Sequence, residues 1–490
     1  MSGRFNYRLF LYGIGIMLLF FAAAFVVPAV VGFAYLESSS WVFVFCSVIC
    51  FLLGTILKTA NADYNPFLSK RDGRLIIGLV WIILPLIGAL PYTFLSSRFG
   101  ILDAIFESFS GFTTTGSSLV ADFNSIPHSM LLWRAMTQWI GCLGFILVLI
   151  SLMPSLRNDA HNFFNAEFNS INKDKVRPHL KATIYIIFII YSLLSLICFV
   201  GLLIADMDVF NALCYTLATV STGGFMFNNG GLSVFSPYVK PVLMVIMFLS
   251  GISYYLLYFL ITSKRKHIFK DEQAWIYVKL IFFASLILSF FFYFRAGFPL
   301  NFHEILAVLE KGFFYVVSAV STTGYSLSNV GLPLFAAVFL VFLMFPGGCS
   351  SSSTTGLKVV RITVLFRYAV AAIKRLLYPR SIIPVKFNSV AIRDESINTI
   401  FGFFFLYIMI CILGASLLTL CGISFDDAVM VSAANINNVG SLGEELSSNL
   451  FSYLQINPAA KIILITLMII GRLEIYSFFA LFSRSIWSRR

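Results

Sequence analysis

The chain repeats one short motif four times, as Thr113-Thr114-Thr115-Gly116, Val220-Ser221-Thr222-Gly223, Ser321-Thr322-Thr323-Gly324 and Asn437-Asn438-Val439-Gly440. The glycines are about 105 residues apart, and each motif follows a short apolar segment. A single Thr-Thr-Gly is typical of a helix C-cap. Four copies in register within an apolar chain instead predict a pore with fourfold pseudosymmetry, in which backbone carbonyls of all four repeats hold a cation.

Composition places the chain in a membrane. Its 490 residues are 59% hydrophobic and 11% charged, which excludes a soluble globular domain. Long apolar runs recur, continuous rather than alternating, and predict transmembrane helices rather than barrel strands. The first run, residues 9–35, is too long for a signal peptide and is interpreted as a retained span. The net charge of +12 comes from basic loops and indicates topology rather than nucleic-acid binding.

The apolar runs predict ten spans, separated in four places by segments of about a dozen residues that are too short to cross the bilayer. The predicted spans are residues 9–35, 40–58, 74–96, 131–153, 182–205, 239–262, 275–298, 332–372 (interrupted), 398–421 and 458–483. Each short segment ends at a glycine motif and is interpreted as a re-entrant half-helix with a filter loop.

The predicted fold class is therefore an all-α polytopic membrane protein. Four pseudo-repeats of span, pore half-helix, filter loop and span surround one central pore, and a two-span domain precedes them. The predicted domains are residues 1–70 (the N-terminal two-span domain), 71–157, 175–265, 271–380 and 393–490 (pore repeats one to four).

Charge distribution predicts the orientation. Lys and Arg concentrate in segments 58–74, 157–181, 264–279 and 374–393 and in the terminal Arg489-Arg490, so both termini are expected in the cytoplasm. The connections around the glycine motifs are acidic, and an acidic outer mouth concentrates cations. These acidic residues are Asp103, Glu107, Asp122, Asp206, Asp208, Glu304, Glu310, Asp426, Asp427, Glu444 and Glu445.

Each short helix is predicted to start near an acidic residue, namely Asp103, Asp208, Glu310 or the pair Asp426 and Asp427. A carboxylate there complements the positive end of the helix dipole. The partly negative ends then face the membrane centre beside the glycine motifs, which favours a cation. In the fourth motif, Asn437-Asn438 replaces the hydroxyl pair, and its amides are expected to stiffen the loop.

The eighth span breaks at the polar stretch from Pro346 to Gly356, which falls at membrane depth and cannot face lipid. We expect an intramembrane loop below the third filter, placed to act as a gate; a loop joining two separate spans is the alternative. The last span carries Arg472 near its middle, next to Glu474. A charge there is a functional candidate, against the alternatives of a snorkelling Arg or a local Arg–Glu pair.

These residues suggest a gated cation uptake protein. The alternative is a broken-helix secondary transporter, a cation-coupled symporter with a midplane site, which predicts two interrupted segments in two inverted halves. An intramembrane enzyme is disfavoured because the histidines lie in loops or at span ends, and no nucleophile–base pair or nucleotide-binding loop is present in the sequence.

Together these features resemble the Trk/Ktr/HKT superfamily of K⁺ transporters, and the two extra N-terminal spans resemble its TrkH branch. The resemblance covers nearly the whole chain. Its further motifs are Ser69-Lys70-Arg71-Asp72-Gly73, Leu132-Trp133-Arg134-Ala135-Met136-Thr137-Gln138-Trp139, Ala166-Glu167 through Lys175-Val176-Arg177-Pro178, Gly347-Gly348-Cys349, Gly356-Leu357-Lys358-Val359-Val360-Arg361 and Gly471-Arg472-Leu473-Glu474-Ile475.

The resemblance implies K⁺ uptake across the bacterial inner membrane by a homodimer that a cytoplasmic nucleotide-binding subunit of TrkA type regulates. K⁺ is then the transported ion, and neither an organic cofactor nor nucleic acid is expected. It implies a K⁺ filter of Thr114, Thr115, Gly116, Ser221, Thr222, Gly223, Thr322, Thr323, Gly324, Asn438, Val439 and Gly440. It implies a gate of Gly347, Gly348, Cys349, Ser350, Gly356, Lys358, Arg361 and Arg472.

Two positions depart from the pattern of that branch. Ser441 stands where the fourth filter usually has Pro, and the gate segment 350–355 is richer in hydroxyls and poorer in Gly. The rigidity of that filter corner and the ease of gate opening are expected to differ accordingly.

Overall fold

Helices form almost all the regular structure, as an apolar chain in lipid requires. The structure, a computed structural model, describes residues 7–63, 70–94, 99–152, 180–262, 271–297, 301–327, 332–381, 383–447, 451–473, 475 and 478–479. The predicted basic segments at 157–179 and 264–270, the Ala166–Pro178 motif and Arg489-Arg490 lie outside these residues.

An N-terminal helical hairpin precedes the first repeat. It consists of α1 (Tyr7–Ala34) and α2 (Ser40–Ala60). The first repeat follows, with α3 (Lys70–Gly88), α4 (Leu90–Phe94), the short α5 (Ile101–Phe112) and α6 (His128–Leu152).

The later repeats keep the order of long helix, shorter helix, loop and return helix. The second has α7 (Leu180–Ile204), α8 (Val209–Val220), α9 (Val239–Ser250) and α10 (Tyr254–Ile261), and the third has α11 (Glu272–Ala296), α12 (Phe302–Val320), α13 (Leu334–Met344) and α14 (Val359–Leu377). An antiparallel pair, β1 (Lys386–Phe387) and β2 (Val390–Ala391), leads to α15 (Asp394–Leu420), α16 (Phe425–Ile436), α17 (Gly440–Leu446) and α18 (Pro458–Leu473).

Five described helices, α1, α2, α7, α11 and α15, are long and apolar enough to cross a bilayer. The pair α9 and α10 provides a sixth candidate span, but it bends by 104°. The other four predicted spans coincide with α3–α4, α6, α13–α14 and α18.

The bend corrects the expectation of one continuous span over residues 239–262. The helix stops at Ser250 and restarts at Tyr254. The broken backbone groups are bonded to the intramembrane loop instead, because Cys349 N donates to Gly251 O at 2.8 Å and Tyr254 N donates to Ser351 O at 3.1 Å. Two interrupted helices therefore satisfy each other's backbone groups.

The helix starts agree with the predicted acidic residues in three repeats. Asp208 caps α8 by accepting Asn211 N at 3.0 Å, Asp103 lies in the first turn of α5, and Asp426 and Asp427 lie in the first turn of α16. In the third repeat the prediction was wrong, because α12 begins at Phe302 and Glu310 lies in its middle. Its start is capped by Glu304, which accepts Asn301 N at 2.8 Å.

One acidic residue joins the N-terminal hairpin to the first repeat. Glu37, between α1 and α2, accepts from the backbone N of His128 at 2.5 Å and from Ser129 N at 3.1 Å. It thereby caps the first turn of α6, where a carboxylate also complements the helix dipole.

A second, smaller core surrounds the strand pair, away from the main hydrophobic core. Its buried side chains are Val360, Val364, Ala371, Val385, Phe387, Ile397 and Ile400. Arg367 bridges this region to α11 by donating to Glu272 Oε2 at 2.8 Å and to Lys386 O at 2.6 Å. The predicted cytoplasmic segment 374–393 is therefore packed against α14 rather than extended.

Candidate ion pathway

The four loops begin with the same backbone turn. Each half-helix ends in a residue of ordinary helical φ, and the next residue is left-handed, with φ of 56° at Thr114, 53° at Thr222, 54° at Thr322 and 54° at Asn438. A positive φ at a Thr is uncommon, so the same unusual conformation in all four loops marks them as structural equivalents.

This conformation sets the register of the second repeat. Two residues after the left-handed residue, the first and third repeats have glycines of positive φ, 82° at Gly116 and 85° at Gly324, whereas Gly440 of the fourth repeat begins α17. In the second repeat that position is Gly224, with φ 68°, and not the predicted Gly223. The motif there is therefore Ser221-Thr222-Gly223-Gly224, shifted by one residue towards the C-terminus from the motif that the sequence pattern indicated.

The four loops close on one another in a ring. A Cβ built on Gly116 would collide with Gly223 O, and one on Gly224 would collide with Thr323 O. The third loop meets the fourth where Ser441 Oγ donates to Gly324 O at 2.8 Å. The ring closes because Gly440 N donates to Thr115 O at 2.7 Å, and Asn438 Nδ2 donates to Thr115 Oγ1 at 2.8 Å.

Side-chain oxygens are concentrated at the left-handed positions. Thr114 Oγ1 and Asn438 Oδ1 are buried, and neither has a hydrogen-bond partner among the described residues. Thr322 Oγ1 accepts the backbone N of Thr355, and Thr222 Oγ1 donates to Ser221 O at 2.7 Å. Buried unpaired oxygens are costly, and hard alkali cations prefer oxygen ligands. The ring can therefore hold such a cation.

A buried ion pair supports the first two loops from behind. Arg134 Nε donates to Glu107 Oε1 at 2.8 Å, and both side chains are fully buried. The guanidinium also donates to Ser118 Oγ at 2.9 Å and to Met226 O at 3.1 Å, which follow the first and second motifs. On the same helix as Arg134, Gln138 Nε2 donates to Gly223 O at 2.7 Å.

Sequence reasoning did not assign this support. The sequence pattern places Glu107 in the acidic outer mouth. Arg134 and Gln138 belong to one of the motifs of the family resemblance, to which no role is assigned. A signal was present, because Glu107 stands between Phe106 and Phe109 in an apolar half-helix. A charge there calls for a buried partner.

The loop from Gly347 to Gly356 lies directly against the ring. Thr355 N donates to Thr322 Oγ1 at 3.0 Å, and Thr355 Oγ1 donates to Asn437 O at 2.5 Å. On its other side, Ser353 Oγ donates to Ser250 O at 3.0 Å. The loop thus bonds to two filter motifs and to the broken span of the second repeat.

The predicted gate residues are brought together around this loop. Arg472 is buried and donates through Nη1 to Ser353 O at 3.3 Å, and Lys358 Nζ donates to Thr354 O. Gly347, Gly348, Cys349, Ser350 and Gly356 form the loop itself, with Gly347 and Gly356 at positive φ. Arg361 stands apart, with its guanidinium 4.4 Å from the ring centre of Phe403.

A helical membrane fold in which four re-entrant loops close into an oxygen-bearing ring, with a loop packed beneath it, defines the class of pore-forming cation transport proteins. The chain belongs to the TrkH family: the profile of this cation transport protein family matches residues 39–298 and 304–489. The resemblance drawn from the sequence is confirmed, as is the prediction that the chain is a transporter rather than an enzyme.

Relatives match along their full length. The chain is 30% identical to the Trk system potassium uptake protein TrkH of Escherichia coli strain K12, covering 97% of this chain and 98% of that protein. It is 29% identical to TrkH of Halomonas elongata, with 98% and 99% covered. The crystal structure of the potassium transporter TrkH from Vibrio parahaemolyticus superposes with a TM-score of 0.89 at 26% identity, covering 99% of this chain and 100% of that one.

Proposed function

We propose that this protein takes up K⁺ across the bacterial inner membrane, through a filter formed by the four loops. The observation that carries the proposal is the closed ring, in which each loop contacts the next and the fourth bonds back to the first. In this reading the peptide oxygens around Gly116, Gly224, Gly324 and Gly440 replace the hydration shell of the ion. The potassium transport named for several relatives supports the choice of ion.

The filter is tested by ⁸⁶Rb⁺ uptake into proteoliposomes in competition with K⁺ and Na⁺. Gly116→Ser places a side chain at a φ of 82°, against the neighbouring loop. We expect the preference for K⁺ over Na⁺ to fall about tenfold or more, consistent with strain of roughly 1–3 kcal/mol at the ion site. The matched control is Gly13→Ser in α1, where a Cβ meets no atom within 4 Å. Unchanged selectivity in Gly116→Ser would contradict the filter assignment.

We further propose that the segment Gly347–Gly356 is the gate and that Arg472 holds it closed. The backbone N of Thr355 donates a hydrogen bond to Thr322 Oγ1. In the open pathway this oxygen would be available to the ion. Opening requires these bonds to break, and the two glycines at positive φ are hinge points.

The gate is tested with Thr355→Val, which removes the hydroxyl bond to Asn437 O but keeps the side-chain shape, and with Arg472→Ala. Both are expected to raise the uptake rate severalfold because the closed loop loses one anchor. Thr363→Val is the control, since the one bond of the Thr363 hydroxyl to a described residue lies within α14, to Val359 O at 2.8 Å. A wild-type rate in both gate variants would leave the loop without a gating role.

The family resemblance also implies an oligomeric state, an orientation and a regulatory partner, and these are part of the same proposal. The protein acts as a homodimer with cytoplasmic termini, and a nucleotide-binding subunit of TrkA type regulates it. Nucleotide-dependent uptake by proteoliposomes that contain both proteins tests the regulation, and the mass of the detergent-solubilised protein tests the dimer.

The alternative of a cation-coupled symporter keeps one observation in its favour. A second broken span, α9–α10, exists beside the α13–α14 break. The two breaks lie in consecutive repeats and bond to each other, whereas the alternative predicts them in two inverted halves. Uptake that requires an imposed H⁺ or Na⁺ gradient would favour the symporter, and uptake driven by the K⁺ gradient alone favours a channel.

A further inference from the structure

Ser441 occupies an unusual place among the four loops. It follows Gly440 in the fourth repeat, yet its Oγ lies beside the glycines of the other three. It is 3.1 Å from a Cβ built on Gly116 and 2.8 Å from those built on Gly224 and Gly324. The fourth loop carries this hydroxyl, and the hydroxyl is close to the other three loops. It therefore lies near the centre of the ring.

The bonding of this hydroxyl leaves oxygen capacity open. Ser441 Oγ donates its proton to Gly324 O at 2.8 Å, which fixes the orientation of the side chain. A hydroxyl has one proton and two lone pairs, and no donor among the described residues bonds to either lone pair of Ser441 Oγ. The residue is half-exposed, whereas Thr114, Thr322 and Asn438 are fully buried. Water and ions therefore reach Ser441 before they reach the rest of the filter.

We propose that Ser441 Oγ is an ion ligand at the outer end of the filter and a determinant of K⁺ affinity in this protein. The inference rests on the proposed filter and adds a residue outside the repeated motif. An entering ion meets the Ser441 hydroxyl oxygen, which is held in a fixed orientation. The hydroxyl proton already points away from the ion, towards Gly324 O. Such an oxygen is preorganised for a cation, which lowers the cost of ordering the site.

The test compares four single variants in proteoliposomes by the K⁺ concentration that halves ⁸⁶Rb⁺ uptake. Ser441→Ala and Ser441→Pro both remove the oxygen but differ in backbone stiffness. Ser441→Thr keeps the hydroxyl. Ser447→Ala is the matched control, because Ser447 directly follows the same short helix, α17, and its hydroxyl donates to Gly443 O at 2.7 Å. Elution profiles in detergent establish that each variant is folded.

We expect a roughly threefold to tenfold weaker K⁺ affinity in Ser441→Ala and Ser441→Pro, the effect of losing one polar contact. Ser441→Thr and Ser447→Ala should remain within about twofold of the wild type on the same scale. A lower maximal rate with unchanged half-saturation in both removal variants would overturn the proposal, because it would indicate a role in loop rigidity alone.

The same series separates this inference from the proposed function. If Gly116→Ser loses selectivity while Ser441→Ala keeps wild-type affinity, the filter stands and the ligand role of Ser441 is rejected. If both variants behave as wild type, the filter itself is rejected, and with it the ion site at Ser441.

Discussion

At the scale of single residues, backbone conformation distinguishes Gly224 from Gly223, the glycine that the sequence pattern predicts for the proposed filter. Gly223 and Gly224 are adjacent, and either satisfies the repeated pattern. Only Gly224 has the positive φ that Gly116 and Gly324 share. Because two neighbouring glycines give identical local signals, the register was decided by the contacts of the folded ring.

The two glycines should therefore differ when substituted. In Gly224→Ala the new Cβ is strained by a φ of 68° and runs into Thr323 O, so we expect Rb⁺ uptake to fall by about tenfold or more. In Gly223→Ala the Cβ meets the end of the Gln138 side chain, which can shift, and the loss should be smaller. Uptake by the two variants under identical conditions decides; a greater loss in Gly223→Ala would restore the register predicted from the sequence.

The buried Glu107–Arg134 pair offers a second residue-scale prediction. Glu107→Gln leaves the buried guanidinium without its carboxylate, a change that typically costs about 3–5 kcal/mol. Glu107 Oε2 also accepts Leu119 N at 2.9 Å, just after the first motif, so both stability and K⁺ selectivity should fall. Thermal unfolding in detergent and Rb⁺/Na⁺ competition measure the two effects. Replacing both partners, as Glu107→Leu with Arg134→Met, should recover stability better than selectivity.

At the scale of secondary-structure elements, the sequence predicted the half-helices and the α13–α14 break but not the bend between α9 and α10. Pro346, Gly347 and Gly348 interrupt an apolar run visibly, whereas Gly251-Ile252-Ser253 is a weak signal inside one. What bends the helix is the incoming loop, whose Cys349 and Ser351 replace the lost helical bonds. A tertiary partner more than 90 residues away in sequence is invisible to local pattern reasoning.

The attachment of the N-terminal hairpin is predicted to depend on pH. Burial of the Glu37 carboxyl raises its pKa, but hydrogen bonds from Ser129 and His128 outweigh this and hold the pKa below its ordinary value of 4.5. A carboxyl with a lowered pKa stabilises the fold above pH 4.5, and this contribution is lost as pH falls through the folded-state pKa.

Glu37→Gln should accordingly be less stable than the wild type at pH 7, by about 2 kcal/mol for charged hydrogen bonds, and the difference should shrink as pH drops below the ordinary carboxyl range. Thermal unfolding in detergent at several pH values measures this. Asp206→Asn, at an exposed position between α7 and α8, serves as the control and should match the wild type throughout. A Glu37→Gln deficit that persists unchanged in acid would point to shape rather than charge.

At the scale of the whole molecule, the sequence sufficed for the fold class because each repeat carries its own signals: apolar length, an acidic residue in the half-helix segment and a polar turn that ends in glycine. It did not suffice for the inter-repeat bonds. The pairs Gly440–Thr115, Ser441–Gly324 and Thr355–Asn437 join residues that are distant in sequence, and no local periodicity specifies them. The wrong start of α12 has a different, local cause: Glu310 is the acidic residue closer to the third motif, but the capping box of Asn301 and Glu304 starts the helix.

The charge distribution predicts the orientation of the molecule in the membrane, and this prediction is open to a direct test. The positive-inside rule places the turn after the first filter outside and the segment 374–393 in the cytoplasm.

Seven of the eight cysteines are buried, and Cys421 is half-buried, so Cys421→Ser provides a background of low reactivity. In that background Asn124→Cys and Ser381→Cys place single thiols at exposed positions of the two sides. A membrane-impermeant maleimide should label Asn124→Cys in intact cells with a permeable outer membrane, and Ser381→Cys only after the inner membrane is opened. The reverse pattern would invert the molecule, turn the ring of filter loops towards the cytoplasm and contradict uptake through an outward-facing filter.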